Sequence, residues 1–440
     1  MKRYLCVLSV LVLLAATAIA QEMRTAFVGA KIIPIVGQPI ENGYLLIHKG
    51  KIVEIGDATG RVFTADTIIV DVKGKVIMPG LVDTHSHIGE VAGADGSGPI
   101  QPEVRTLDSI NVRSSGFQRA QSGGITVANI MPGSGHLDSG QTLYVKLRDG
   151  ANKIDDVLIF DADGDYMGGI KFANGTNSIR SSGSWPGTRA KSAALVRERF
   201  IKAQEYKAKI EKAGDDESKM PPRDLGLETL VEVLDGKRVV HHHTHRHDDI
   251  LTVLRLQKEF GFRLVLHHVS EAWKVADEIA AAGVPSSLIL VDAPGGKLET
   301  MDIRWVNGAA LEKAGAVVGF HTDDYITDSR FFLRQAGFAV RAGMGRDAAL
   351  YGLTMAGAKM LDLEDRIGSL EAGKDADFII LSGDPLSVYT NVLQTWVDGG
   401  KVFDRSTAED YLVAVGGYGA TNDRLVHIDC FDGDVGGQYE

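Results

Sequence analysis

Two histidines separated by one serine, His85-Ser86-His87, close the stretch VIMPGLVDTHSHIG. On a strand, residues i and i+2 share a face, so both imidazoles point into the same space. Such a pair begins a transition-metal site; alone it is equally two polar residues at a strand end. The rest of the chain adds donors of the same kind. Residues 239–250, VVHHHTHRHDDI, carry five histidines. Alternation puts His241, His243 and His245 on one face and His242 on the other. LVLHHVSE adds His267 and His268, which face opposite ways, so at most one points inward along a regular strand. GFHTDD adds Asp323 and Asp324. Zinc favours imidazole nitrogen and carboxylate oxygen, and a catalytic site keeps a position open for water. Lys171, in MGGIKFANGTN, lies between the first and second histidine groups. A buried lysine can lose its proton. As the neutral amine it can take up CO₂ and form a carbamate that bridges two metals. An ion-paired lysine, or one that holds a substrate carboxylate, fits the same position.

These donors need strand ends to carry them. From Pro79 to about Leu361, apolar runs alternate with amphipathic segments. The strand candidates are GGITVANIMPG, DDVLIFDAD, KRVVHHHTH, FRLVLHHV, SSLILVDAP and GAVVGFHTDD. The helix candidates are RTLDSINVRSSGFQRAQSG, TRAKSAALVRERFIKAQEYKAKIEKA, DDILTVLRLQKEFG and EAWKVADEIAAAG. Strand–helix alternation over this length predicts a parallel sheet, and a (β/α)8 TIM barrel is its simplest closed form. In such a barrel, strand C-terminal ends line the active-site mouth. Residues 21–80 and 365–405 read instead as short strands with turns. Together they predict one small β-sandwich built from N- and C-terminal segments. The expected divisions are a leader at 1–20, sandwich at 21–80, barrel at 81–362, sandwich again at 363–405, and an extension at 406–440 without a functional reading.

The bulk composition agrees with a globular protein. The 440 residues are 44% hydrophobic and 24% charged. Lys2 and Arg3, an apolar run to Ala16, and Ala18-Ile19-Ala20 read as a cleaved export signal, with the mature chain beginning at Gln21 in the bacterial periplasm. Cleavage changes the net charge from -11 to -13, because Lys2 and Arg3 leave with it, and only Cys430 remains. One cysteine makes no internal disulfide. Net acidity argues against nucleic acid as a partner. No further segment predicts stable membrane insertion. A homo-oligomer is compatible with all of this.

The motifs together resemble the amidohydrolase superfamily, in its exported imidazolonepropionase-like and prolidase-like branch. The likeness runs through MPGLVDTHSHIG, QPEVRTLDSIN, GGITVANIMPGSGHLDSGQTLYVKL, HHHTHRHDDILTVLRLQKEFGFRLVLHHVSEAWKVADEI, HTDDYITDSRFFLRQAGFAVRAGM and LEAGKDADFIIL. The resemblance implies a barrel with a composite sandwich. It implies that His85 and His87 bind the more buried metal with Asp323. His243 and His268 would bind a second, and Lys171 would bridge as the carbamate. Relatives typically read His-Ala-His-Arg where this chain has His243-Thr244-His245-Arg246, which selects His243 as ligand and leaves His245 near the site. Gly175-Thr176-Asn177 departs from a Gly-Glu-Asn common among similar proteins.

The function so implied is hydrolysis of an amide or peptide-like C–N bond in a small molecule or short peptide. One or two divalent ions activate hydroxide, with zinc the first expectation and manganese or iron also compatible. Asp323 would act as general base and then acid. His245 is placed to stabilise the developing oxyanion. Arg180, Trp185 and Arg189, in the loop SIRSSGSWPGTRA, are candidate substrate contacts, although an ordinary surface loop reads the same way. Alternatives are a mononuclear deaminase or cyclic amide or lactone hydrolase, and a non-catalytic metal-binding protein that uses the histidine tract.

Overall fold

A computed structural model describes residues 23–91, 95–181, 183–291, 296–324 and 326–416. The expected leader and most of the expected C-terminal extension lie outside these residues. The strands, in chain order, begin with Thr25–Ile32 (β1), Ile40–His48 (β2), Lys51–Asp57 (β3), Ile68–Asp71 (β4) and Val76–Pro79 (β5). A second group follows: Leu81–Ser86 (β6), Ile125–Ile130 (β7), Asp138–Gln141 (β8), Leu143–Lys146 (β9), Ile170–Ala173 (β10), Val240–Thr244 (β11), Leu264–His268 (β12), Ser286–Leu288 (β13) and Val318–Phe320 (β14). The last are Phe378–Leu381 (β15), Val392–Val397 (β16) and Gly400–Asp404 (β17).

The first and last groups form one sheet in the order β17-β16-β15-β5-β1-β2-β3, with β4 beside β1. β15 pairs antiparallel with β5, so the chain's two ends meet inside a single sheet. Its core is equally composite. Phe27 lies edge-on to Phe378 and to Trp396, each at 5.0 Å between ring centroids. Rings in such contacts add roughly 0.5–1.5 kcal/mol to what their burial gives.

The middle group makes the (β/α)8 barrel. β6 and β7 pair in parallel, as do β10 through β14. The third position is filled differently: β8 and β9 form a nearly continuous segment that runs antiparallel to β10 on one side and β7 on the other. The ring closes where the Asp323 N–H donates to the His85 carbonyl at 2.9 Å. Asp83 reinforces this seam by accepting from the Thr322 N–H at 3.0 Å. Helices Arg189–Ala213 and His247–Phe260 pack outside, with Phe200 stacked between Phe172 and Phe260. No described helix is long and apolar enough to cross a membrane.

Two sequence expectations differ from this structure. DDVLIFDAD forms no barrel strand. Val157, Leu158 and Ile159 are buried, but they only flank β9, and the run ends in a turn where Asp161 accepts from the backbone of Asp163 and Asp165. The expected helix at 105–123 is confined to Ser115–Ser122, preceded by a short 3-10 turn at Thr106–Asp108.

Candidate metal centre

β6 ends at the barrel mouth, and its last turn of chain presents His85 and His87. His87 Nδ1 lies 2.8 Å from the Met131 carbonyl. That contact fixes the proton on Nδ1 and leaves Nε2 as a lone-pair donor. His87 Nε2 is 2.9 Å from Asp323 Oδ1 and 3.2 Å from His85 Nε2. His85 Nε2 is 3.2 Å from the same carboxylate oxygen. Two nitrogens and one oxygen therefore form a triangle with edges of 2.9 to 3.2 Å. Ligands about 2.1 Å from a tetrahedral zinc stand about 3.4 Å apart, so these donors fit one small divalent ion with little movement.

The electrostatics favour the same state. Burial alone would raise Asp323, but the imidazoles of His85 and His268 facing it hold it well below the carboxylate range. Burial, with the charge of Lys171 beside it, keeps His85 neutral. Lys171 Nζ lies 2.9 Å from His85 Nε2 and 3.2 Å from Met131 Sδ. Burial brings this lysine down to about 7, against a smaller upward pull from Asp323.

Backbone geometry departs from regular strand at two of these positions. His268 has φ of 67° and Asp323 of 49°. Left-handed non-glycine residues cost of order 1–3 kcal/mol each and are held by their surroundings. At His268 the consequence is direct. Strand alternation allows only one of His267 and His268 to face inward, yet both do. His267 has its ring 5.0 Å from His85, and His268 has its ring 4.9 Å from His85. The left-handed turn at the end of β12 swings His268 back over the barrel axis.

Beneath the triangle lies a layer of hydrogen-bonded imidazoles. His268 Nδ1 contacts His321 Nε2 at 3.0 Å, and His321 Nδ1 contacts Ser287 Oγ at 2.8 Å. His241 bridges His267 Nε2 and the Tyr144 hydroxyl, each at 2.9 Å. His242 packs beside Phe172, and His247 pairs with Glu271 at the surface. No motif in the sequence marks His321, although it stands two residues before Asp323 on the same strand end.

Next to His268, whose ring is 4.4 Å from that of His243, His243 and His245 stand near Glu299. One ligand atom from each lies within 4.8 Å of the others. His243 Nε2 also faces Asn177 Nδ2 at 3.4 Å, and Asn177 Oδ1 accepts from Lys297 Nζ at 2.8 Å. Glu299 and Lys297 lie in a loop whose local sequence carries no motif, whereas Asn177 ends the Gly175-Thr176-Asn177 stretch.

The loop candidates separate. Arg180 lies over the Trp185 ring at 4.7 Å and donates to the carbonyls of Asn177 and Gly135. Trp185 packs on His136, with ring centroids 4.6 Å apart. Arg189, expected as a substrate contact, is committed elsewhere: it pairs with Asp249 at 2.8 Å and Glu299 at 3.4 Å. Asp324, the neighbour of Asp323, is turned away from the triangle, and its Oδ2 accepts from Ser329 Oγ.

Comparison with known proteins bears on this arrangement. A profile of the amidohydrolase family matches residues 172–403. An amidohydrolase of Thermotoga maritima MSB8 superposes with a TM-score of 0.80 at 34% identity, over 87% of this chain and 100% of that one. The amidohydrolase tasK of Hapsidospora irregularis is 27% identical over 392 residues, covering 82% of this chain. This chain spans 40% of that relative's length. A prolidase solved with N-methylphosphonate-L-proline shares the fold at 18% identity and a TM-score of 0.55, over 86% of this chain and 99% of that one.

Proposed function

The chain belongs to the amidohydrolase family, and we propose that it is a metal-dependent hydrolase that cleaves an amide or peptide-like C–N bond in a small molecule or short peptide. The observation that carries this reading is the donor triangle of His85, His87 and Asp323, with Lys171 at its edge. When bound, a divalent ion there supplies Lewis acidity, which lowers the pKa of water and polarises a carbonyl.

The side chains do the rest. Met131 fixes the His87 ring through Nδ1. Asp323 Oδ1 faces the two imidazoles, while Oδ2 lies 3.9 Å from His268 and is the freer oxygen. Oδ2 takes a proton from the attacking water and returns it to the leaving nitrogen, so the amine departs neutral. The hydrogen bond from the Asp323 N–H to His85 holds this carboxylate against the seam. Lys171, with a pKa near 7, presents an uncharged amine in a useful fraction at neutral pH. Its nitrogen can bond to the carbon of CO₂ and release one proton, giving a carbamate with two further oxygen donors.

The test is metal content per chain by mass spectrometry on untagged protein, read beside hydrolysis of a panel of N-acyl amino acids and dipeptides. The expected result is bound zinc or manganese, with His87→Asn and Asp323→Asn each losing both metal and hydrolysis. A wild-type protein that hydrolyses none of the panel, or metal content indifferent to both substitutions, would sink the reading. One ion per chain that persists in Lys171→Ala would favour a mononuclear deaminase or cyclic-amide hydrolase.

A further inference from the structure

We propose that Lys297 selects the substrate: its ammonium group binds a carboxylate that the substrate carries close to the scissile C–N bond. This rests on the hydrolase reading above and adds a substrate class to it, amides and peptides that are anionic beside the bond cleaved.

The placement of the ammonium carries the argument. Lys297 Nζ donates to Asn177 Oδ1 at 2.8 Å, and the same amide turns Nδ2 to His243 Nε2 at 3.4 Å. The charge therefore stands one amide group away from an imidazole of the barrel mouth. Its field reaches further. Burial is the main cause that lowers His245, and the charge of Lys297 comes next. Burial also leads at His243 and Lys171, where the charge of Lys297 acts in the same direction. Its own partner is neutral. Among the described residues no carboxylate pairs with Lys297, although its side chain is half-buried. An ammonium drawn away from water calls for an opposite charge. The other charged groups nearby are already engaged. Glu299 Oε2 accepts from the Thr176 N–H at 2.8 Å and from Arg189 Nη2 at 3.4 Å, and Arg189 also holds Asp249 at 2.8 Å. Arg180 donates to the carbonyls of Asn177 and Gly135. Asn177 accepts one of the three ammonium protons, which leaves two for the oxygens of a carboxylate.

The loop that bears Lys297 holds this charge in place. The Lys297 N–H donates to Thr300 Oγ1 at 3.3 Å, and the Thr300 hydroxyl donates back to the Lys297 carbonyl at 2.9 Å. Two residues on, the Glu299 carboxylate, 2% exposed, docks on the Thr176 N–H. Lys297 and Glu299 thus grip adjacent residues, Asn177 and Thr176. Gly175 permits the close approach: its φ is 80°, and a Cβ there would stand 2.5 Å from Glu299 Oε2. A cation fixed before the ligand arrives loses little freedom on binding, and it discriminates against a ligand that lacks the matching charge. A carboxylate is the anion that an amide or peptide substrate brings here. It lies either on the amine portion, as in a dipeptide with a free C-terminus, or on the acyl portion.

Paired substrates test the proposal on the zinc-loaded protein. One pair sets N-acetyl amino acids beside the matching N-acetyl amino alcohols; the other sets succinanilic acid beside butyranilide. In the wild type, kcat/KM should favour the acid by about 10- to 100-fold in the pair whose carboxylate reaches Lys297, which also tells the two sources apart. Lys297→Met and Lys297→Gln, with circular dichroism confirming each fold, should bring that ratio near one. Lys297→Arg should keep most of it. A merely structural role would lower acid and neutral partner alike. A wild-type ratio near one in both pairs, or a ratio unchanged in Lys297→Met and Lys297→Gln, overturns the proposal while the hydrolase reading stands. Should no substrate be cleaved, calorimetric titration with ketomethylene analogues of both pairs, CO–CH₂ in place of CO–NH, decides without turnover. An acid analogue that binds about 10-fold or more tighter than its neutral partner, in wild type but not in Lys297→Met, would leave the carboxylate site standing and the hydrolase reading lost. Equal binding within both pairs would end both.

Discussion

Lys146 and Lys171 are both buried, at 1% and 0% exposure, and the molecule treats them in opposite ways. Lys146, at the end of β9, reaches out of the barrel into the sandwich. It meets Asp375 at 2.7 Å, Asp377 at 3.2 Å and Asp398. Burial opposes its charge, but these three carboxylates outweigh burial and hold its pKa above the ordinary lysine value. Lys171, on β10, has imidazole and thioether for neighbours, and burial brings it down to about 7. One lysine is a charged rivet between two units of the fold. The other is an amine whose pKa burial has brought close to neutral pH. Burial does not distinguish them; the surrounding carboxylates do.

The strongest way to break this contrast is to replace each lysine with methionine. Lys146→Met leaves Asp377 buried without its cation and takes from Asp375 one of three, Lys51 and Arg366 remaining, which is the expensive way to break a buried pair at Asp377. We expect a loss of roughly 3–5 kcal/mol in urea unfolding at pH 7. A loss below about 1 kcal/mol would mean that water already screens the cluster.

Acid should erase much of that difference. Burial tends to raise Asp375, but the charge and hydrogen bond of Lys146, with help from Lys51, bring it down to about 2. A carboxylate depressed from about 3.9 in the unfolded chain stabilises the fold above that value and loses its contribution as pH falls through about 2. The wild-type protein should therefore lose more than Lys146→Met between pH 5 and pH 2, by at most about 2 kcal/mol, because Lys51 and Arg366 still hold Asp375 down in the variant. Parallel unfolding curves across that window would show that Lys146 does not set the Asp375 titration.

Lys171→Met should behave differently. A lysine whose pKa burial has brought to about 7, and which makes no ion pair among the described residues, leaves no stranded partner, so stability should change by less than about 1 kcal/mol, or rise as the apolar side chain fills the site. Its effect should appear in metal content instead. A loss as large as that of Lys146→Met would make Lys171 a structural ion pair, one of the alternatives its sequence position allowed.

These lysines also show what the sequence could and could not reveal. His85-Ser86-His87 was legible because two neighbours on one face need only local geometry. The composite sandwich was legible because the β texture of residues 21–80 returns near the C-terminus. Lys146 carried no signal, since its partners stand more than two hundred residues away. Glu299 carried none for the same reason: His243, His245 and the Thr176 N–H meet it only in space. His267 and His268 were misread because alternation holds inside a strand and fails at its end, where His268 turns left-handed. The apolar run Val157–Ile159 was correctly read as buried, but burial beside a sheet and burial within one leave the same pattern.

The smallest expected effect marks the outer limit of the comparison. Arg197 reaches Glu259 through three contacts of 2.8 to 3.0 Å, a bidentate pair with better geometry than any single contact of Lys146. Yet its two side chains are 51% and 39% exposed. Water solvates both charges before and after the pair forms, so little is gained by bringing them together. Arg197→Ala should therefore cost less than about 1 kcal/mol, and 1 M salt should bring the wild type toward the variant. If it instead matches Lys146→Met, geometry rather than burial governs ion pairs in this protein, and the contrast between its two buried lysines would need another cause.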